Sequence, residues 1–205
     1  MDKTVNHTTI WKIVITGGPC AGKSTALASV KEHFQEKGWL VVTINETATE
    51  LIASGLRREY CTDMQFQIRV MQLQLAKERT FEEAVRDLGF EKVLIVCDRG
   101  ILDNRAYIPD DVYRQVLEIN GITHEQARAR YDAVFHMQSA AVGAPRHYNL
   151  SSNATRRENA QEAARLDESI TYAWSDHPRF FTIEASDDFE EKIDRLIRRI
   201  EAAEQ

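Results

Sequence analysis

The sequence predicts an α/β fold: a three-layer sandwich built on a parallel five-stranded sheet. Two observations carry this expectation. Five short β-branched runs are apolar almost throughout rather than alternating, the pattern of strands covered on both faces. Longer stretches with helical spacing separate most of them, and strands that alternate with helices build βαβ units.

The elements follow in order. Lys12–Thr16 reads as the first strand and Ala26–Lys37 as the helix after it. Leu40–Ile44 is the second strand. Gln65–Leu88 places Phe66, Val70, Leu73, Phe81, Val85 and Leu88 near a 3.6-residue period and reads as a long helix. Val93–Cys97 and Ala133–Met137 are the third and fourth strands. Thr155–Trp174, rich in Ala, Glu and Arg, is a helix, and Phe180–Ile183 is the fifth strand. Phe189, Ile193, Leu196, Ile197 and Ile200 fall on one face of a last helix. Gln138 to Asn153 has little periodicity and holds Gly143, Pro145 and Ser151-Ser152-Asn153. Loops of this length in compact domains serve as lids or binding loops, so a lid is expected over about 138–157, with a plain surface excursion as the alternative.

Composition bounds the function classes. The 205 residues make one domain, 1–205, with 43% hydrophobic and 28% charged residues. Lys and Arg total 26 against 32 Asp and Glu, a net charge of −6, so no DNA or RNA partner is expected. The longest apolar runs, such as Trp39–Val42 and Val93–Cys97, fall far short of the roughly 20 residues needed for a membrane span. Met1–Thr9 is polar and carries no secretory core. The scattered Cys20, Cys61 and Cys97 form neither a disulfide framework nor a zinc spacing, which points to a reduced, cytoplasmic setting.

The chemistry begins after the first strand, at Gly17-Gly18-Pro19-Cys20-Ala21-Gly22-Lys23-Ser24. This is G-x-x-x-x-G-K-[ST], the P-loop. Its glycines let successive N–H groups turn inward as an anion nest, and the following helix presents its N-terminus to the same anion. Gly17 to Thr25 are therefore the expected nucleotide-binding residues. Lys23 adds a full charge beside the β- and γ-phosphates, Ser24 can ligate Mg²⁺, and Thr25 is placed to reach the α-phosphate. The run Val93-Leu94-Ile95-Val96-Cys97-Asp98 has the pattern of a Walker B strand, with Asp98 holding the Mg²⁺ shell. A nucleoside triphosphate, ATP or GTP, and Mg²⁺ are the expected ligands.

The residues after Asp98 are Arg99 and Gly100, not the glutamate of a hydrolysing motor, and no N-K-x-D guanine motif occurs. The nucleotide- and metabolite-kinase type remains. Such a kinase needs a group to handle the acceptor hydroxyl and cations for the transferring charge. Glu46, at the C-terminal end of the second strand, is read as general base or acceptor-orienting carboxylate; a first-turn carboxylate on the next helix is the other reading. Arg99 is read as a cation for acceptor or phosphate, or as an ion-pair partner of Glu46. Arg156 and Arg157 open the helix after the lid, where Arg156 is expected to stabilise transferring charge; Arg146 is a further lid candidate. Ala185-Ser186-Asp187 is read as part of the start of the last helix, with contact to a nucleobase as the alternative.

Taken together, these patches resemble the NadR/TRPL-translocation-defect type AAA domain. The likeness rests on Ile15 to Thr25, Glu46-Thr47-Ala48-Thr49 and Cys97-Asp98-Arg99-Gly100. It continues through Thr155-Arg156-x-Glu158 to Leu166-Asp167, and through Ala173-Trp174 to His177-Pro178. The resemblance implies a nucleotide-kinase-like P-loop NTPase fold with strand order 2-3-1-4-5 and ATP or GTP binding. One branch of that family is a ribosylnicotinamide kinase domain; another is a GTP-binding protein of vesicle traffic with an added C-terminal domain. The 205 residues are expected to hold the kinase-like core and lid alone. The function expected is Mg²⁺-dependent phosphoryl transfer to a small nucleoside-like acceptor; a slowly hydrolysing nucleotide switch is the alternative.

Overall fold

The computed structural model describes residues 8–139 and 160–204. Five strands, β1 (Thr9–Thr16), β2 (Leu40–Ile44), β3 (Lys92–Asp98), β4 (Ala133–Met137) and β5 (Phe180–Ile183), form one sheet in the order β2-β3-β1-β4-β5. Every pairing is parallel. All five strands therefore end at the same edge, and the loops after β2, β3 and β1 adjoin there. In open α/β sheets this edge is where ligands bind.

Helices cover both faces. Ile13 and Ile15 of β1 point to one side and join α1 (Lys23–Glu36) and the last helix, Phe189–Glu204, through Val30, Phe34, Leu196 and Ile200. Val14, between them, points to the other side. It joins Met71 of α3 (Asp63–Arg86), Val116 of α4 (Asp110–Ile119), Ala127 of α5 (His124–Arg128) and Trp174 of α6 (Ala160–Trp174). The last helix is α7. The three-layer sandwich and its strand order are as the sequence and its resemblance imply.

The strands start and stop for local reasons. β1 begins three residues before the expected Lys12, because Thr9, Ile10 and Trp11 pair with Lys92, Val93 and Leu94 of β3; Lys12 itself is buried and ion-paired with Glu78 and Glu82 of α3. Thr62 and Gln65 form a reciprocal capping box that starts α3. Asp188, whose Oδ1 accepts from the backbone of Glu190 and Glu191, starts α7. Asp187 instead lines a small cleft with Cys20, Ala21 and Phe189. Between β3 and β4 the chain forms a 3-10 segment, Ile101–Tyr107, followed by α4, whose Tyr113, Val116 and Leu117 share its buried face, and α5. Of the expected lid only Gln138 and Ser139 are described; Arg146, Arg156 and Arg157 lie outside the described residues. No helix among the described residues is long and apolar enough to cross a membrane.

Candidate functional site

The phosphate loop joins β1 to α1. Gly17 has φ 142°, and a Cβ there would lie 2.1 Å from the Met137 carbonyl oxygen. Gly22 stands at the helix N-cap in the left-handed region, φ 86°. Only glycine takes both conformations without strain. Cys20 is also left-handed, φ 56°. The mix of left- and right-handed backbone is what turns amides inward. Ser24 and Thr25 stand exposed in the first turn of α1. The Lys23 ammonium donates to the carbonyls of Gly17 and Gly18, 3.0 Å each.

Asp98 ends β3 directly beside Ile15 of β1. One carboxylate oxygen, Oδ1, is buried and has no hydrogen-bond partner among the described residues. Burial pushes this carboxyl above its usual range; the Lys23 charge pulls the other way and the Glu46 charge adds to the rise. An anion in this condition suits a divalent cation, and the exposed Ser24 hydroxyl at the helix start supplies a second oxygen of the kind Mg²⁺ takes.

The next residue reverses direction. Arg99 has φ 69°, which swings its side chain under α2 (Thr47–Ala53). Its Nε donates to Glu46 at 2.7 Å and its Nη1 to Asp103 at 3.3 Å. Burial works against the guanidinium charge, but Tyr107, Glu46, Asp103 and Asp98 outweigh it and hold Arg99 protonated. Glu46 occupies the N-cap position of α2 without capping a backbone amide through its side chain; its second oxygen accepts from the Thr49 hydroxyl at 2.8 Å. Asp103 also accepts from Thr16 Oγ1, from the Gly100 amide at 2.8 Å and from the Trp174 indole at 3.3 Å.

A cavity of about 240 Å³ opens beside this cluster. Glu46, Arg99 and Asp103 form its polar end, Phe66, Val70, Ile52 and Tyr107 an apolar wall, and Gln67, Gln74 and Asn104 supply amides. Gln74 is fixed from both sides: it accepts from Thr47 Oγ1 and donates to Glu78 at 2.9 Å. Glu78, wholly buried, is in turn held by Tyr131 at 2.6 Å, Arg130 at 2.9 Å and Lys12 at 3.2 Å. The cavity floor thus rests on a closed ionic network.

A family profile described as an AAA domain matches residues 12–192. The chain belongs to the AAA domain family. The match runs from β1 into α7 and so takes in the phosphate loop, Asp98, Arg99 and the cavity. No curated protein matches the chain. An AAA domain with this sheet is a P-loop nucleotide-binding fold, and that fold generally binds nucleotide together with Mg²⁺.

In this AAA domain Lys23, Glu46, Asp98 and Arg99 stand at one sheet edge, with Glu46 and Arg99 in direct contact. The sequence reading missed Asp103, Gln67, Gln74 and Lys192, and it named Asp167 only within the family resemblance, with no role. Asp167 accepts from the Gly18 amide at 2.8 Å, and Lys192 donates to the Ala21 carbonyl at 2.9 Å. Lys192 carried a usable signal: it lies three residues after Phe189 and four before Leu196, on the apolar stripe of its helix.

Proposed function

We propose that the protein transfers the γ-phosphoryl group of ATP or GTP to a hydroxyl of a small, uncharged, nucleoside-like acceptor seated in the cavity. The observation that carries this reading is the cavity itself, which shares Glu46 and Arg99 with the strand edge that holds the phosphate loop. An acceptor hydroxyl attacks Pγ, the bond from Pγ to the bridging oxygen breaks, the nucleoside diphosphate leaves, and the hydroxyl proton passes to water. The loop amides and Lys23 bind the triphosphate. Ser24 and Asp98 would hold Mg²⁺, which screens the phosphate charge. Glu46, tied to Arg99 and Thr49, orients the acceptor hydroxyl. The gain comes from positioning and electrostatics.

The acceptor's charge follows from the walls. Arg99 already faces Glu46 and Asp103, and Arg58 faces Asp63 at 2.9 Å. Among the described residues the cavity offers no surplus of cations for an acceptor that already bears a phosphate. Phe66 and Tyr107 suit a flat ring. The test is a thermal-shift panel pairing MgATP or MgGTP with neutral nucleosides and nucleoside monophosphates, followed by product mass spectrometry. Joint stabilisation with a nucleoside and a product heavier by one phosphoryl group support the reading. Stabilisation by nucleotide alone, with no phosphorylated product from a metabolite pool, replaces it with a nucleotide switch.

A further inference from the structure

Two charged side chains far along the chain grip the phosphate loop. Asp167 of α6 accepts from two amides, Gly18 at 2.8 Å and Ser139 at 3.1 Å. Lys192 of α7 donates to two carbonyls, Ala21 at 2.9 Å and Gln138 at 2.7 Å. An anion thus takes the donors and a cation takes the acceptors of the same two segments, the loop and the residues just past β4. Ser139 adds a third tie, donating to the Pro19 carbonyl at 2.6 Å. Both side chains are buried, Asp167 at 4% and Lys192 at 3% exposure. A lysine is almost never buried to that degree unless its charge is partnered.

We propose that Asp167 and Lys192 are positioning residues that clamp the phosphate loop in its anion-accepting form, so that triphosphate affinity depends on the charge of Lys192. The Ala21 carbonyl belongs to the same peptide unit as the Gly22 amide, one of the amides the loop presents to phosphate. An ammonium on that carbonyl polarises the peptide and strengthens its N–H as a donor. Removing the charge loosens the loop and weakens the amide together.

The charge is poised to change. Burial is the main influence on Lys192 and lowers its pKa to about 8; Asp167 opposes the drop and Arg195 on the same helix adds to it. The other ionisable groups facing it are Cys20 and Asp187, which line the adjoining cleft, with His136 of β4 behind Asp167. A triphosphate brings negative charge to the loop and favours the ammonium, so the bound form holds its proton to a higher pH than the free form. Affinity is therefore greatest below about 8 and falls as the pH rises past it.

The clamp rests on the nucleotide-binding reading for its consequence, but its geometry is testable without nucleotide. MgATP and MgGTP affinities are measured by calorimetry from pH 7.5 to 9.5 for the wild type, Lys192→Met and Asp167→Asn, with thermal unfolding alongside. The wild type should weaken several-fold across this range, and K192M should bind roughly tenfold more weakly at pH 7.5 with a flat profile. Hydrogen exchange of the nucleotide-free proteins then reads the amides of Gly18 and Ser139, the two that Asp167 accepts, expected to be protected in the wild type and exposed in K192M. Unchanged protection in K192M overturns the clamp, as does a K192M profile that still follows the wild type. If K192M does not fold, the wild-type pH profile and D167N exchange decide. Absence of triphosphate binding by the wild type, with protection lost in K192M as expected, would strike the nucleotide reading while leaving the clamp standing.

Discussion

Arg99 donates through Nε to Glu46 at 2.7 Å, tying the residue after β3 to the residue before α2. The pair forms one end of the cavity, so the carboxylate is held rigidly where an acceptor hydroxyl would sit. Glu46→Gln keeps the shape and loses the charge. Phosphoryl transfer should fall about a hundredfold, the scale of a misplaced reacting group, while nucleotide affinity stays within a factor of two or so. Single-turnover transfer assays beside nucleotide titrations check this; normal transfer by E46Q removes Glu46 from the reaction.

Lys23 bonds the loop's own carbonyls and stands within electrostatic reach of Asp98. Lys23→Ala should weaken triphosphate binding by roughly ten- to a hundredfold, the worth of about 1.5–3 kcal/mol for a hydrogen bond to a charged group. Fluorescent-nucleotide titration measures it. Undiminished affinity would mean that the loop does not receive the phosphates.

Asp98 carries a raised pKa, caused first by its burial. Its ionised form is the one that would hold Mg²⁺. As pH falls through the raised pKa the charge is lost, so the Mg²⁺ dependence of nucleotide affinity should fail at a less acidic pH than the value near 4 of an exposed aspartate. Titrations with and without Mg²⁺ between pH 4 and 8 test the sign. Asp98→Asn should show little Mg²⁺ dependence at any of these pH values, and this variant separates the protein's titration from that of the phosphates.

Gly17 leaves no room for a side chain: its φ is 142°, and an added Cβ would meet the Met137 carbonyl at 2.1 Å. Gly17→Ala should cost about 2–4 kcal/mol through backbone strain and overpacking. Denaturant unfolding of the nucleotide-free protein measures it. A Gly38→Ala control, also at positive φ but with open space around it, should cost less.

The sequence made some of this site plain because some of its chemistry is contiguous. Gly17 to Gly22 form a loop between a strand and a helix whose first turn holds Lys23, Ser24 and Thr25, and each residue's part follows from that setting. Asp98 is legible for the same reason, as the polar end of an apolar strand. Glu46 was open between two readings, yet the expectation that Arg99, 53 positions away, could pair with it names the contact that joins them. Asp103 was invisible: it sits in a 3-10 segment that has neither a helical nor a strand period, and its value comes from Thr16, Gly100 and Trp174 converging on it. Phe66 was read correctly as apolar and helical, yet it faces a cavity as well as the core, a distinction that periodicity cannot draw.

The bond from Lys192 to Ala21 spans 171 residues, and β1 finds its sheet neighbours only in β3 and β4. The chain therefore writes its phosphate loop near the beginning and completes it near the end. During synthesis the loop leaves the ribosome long before the strands and helices that shape it. A growing chain shorter than 167 residues carries the whole motif but neither Asp167 nor Lys192, and one shorter than 192 still lacks Lys192. If the clamp acts as proposed, nucleotide recognition waits for a chain that has been made past Lys192.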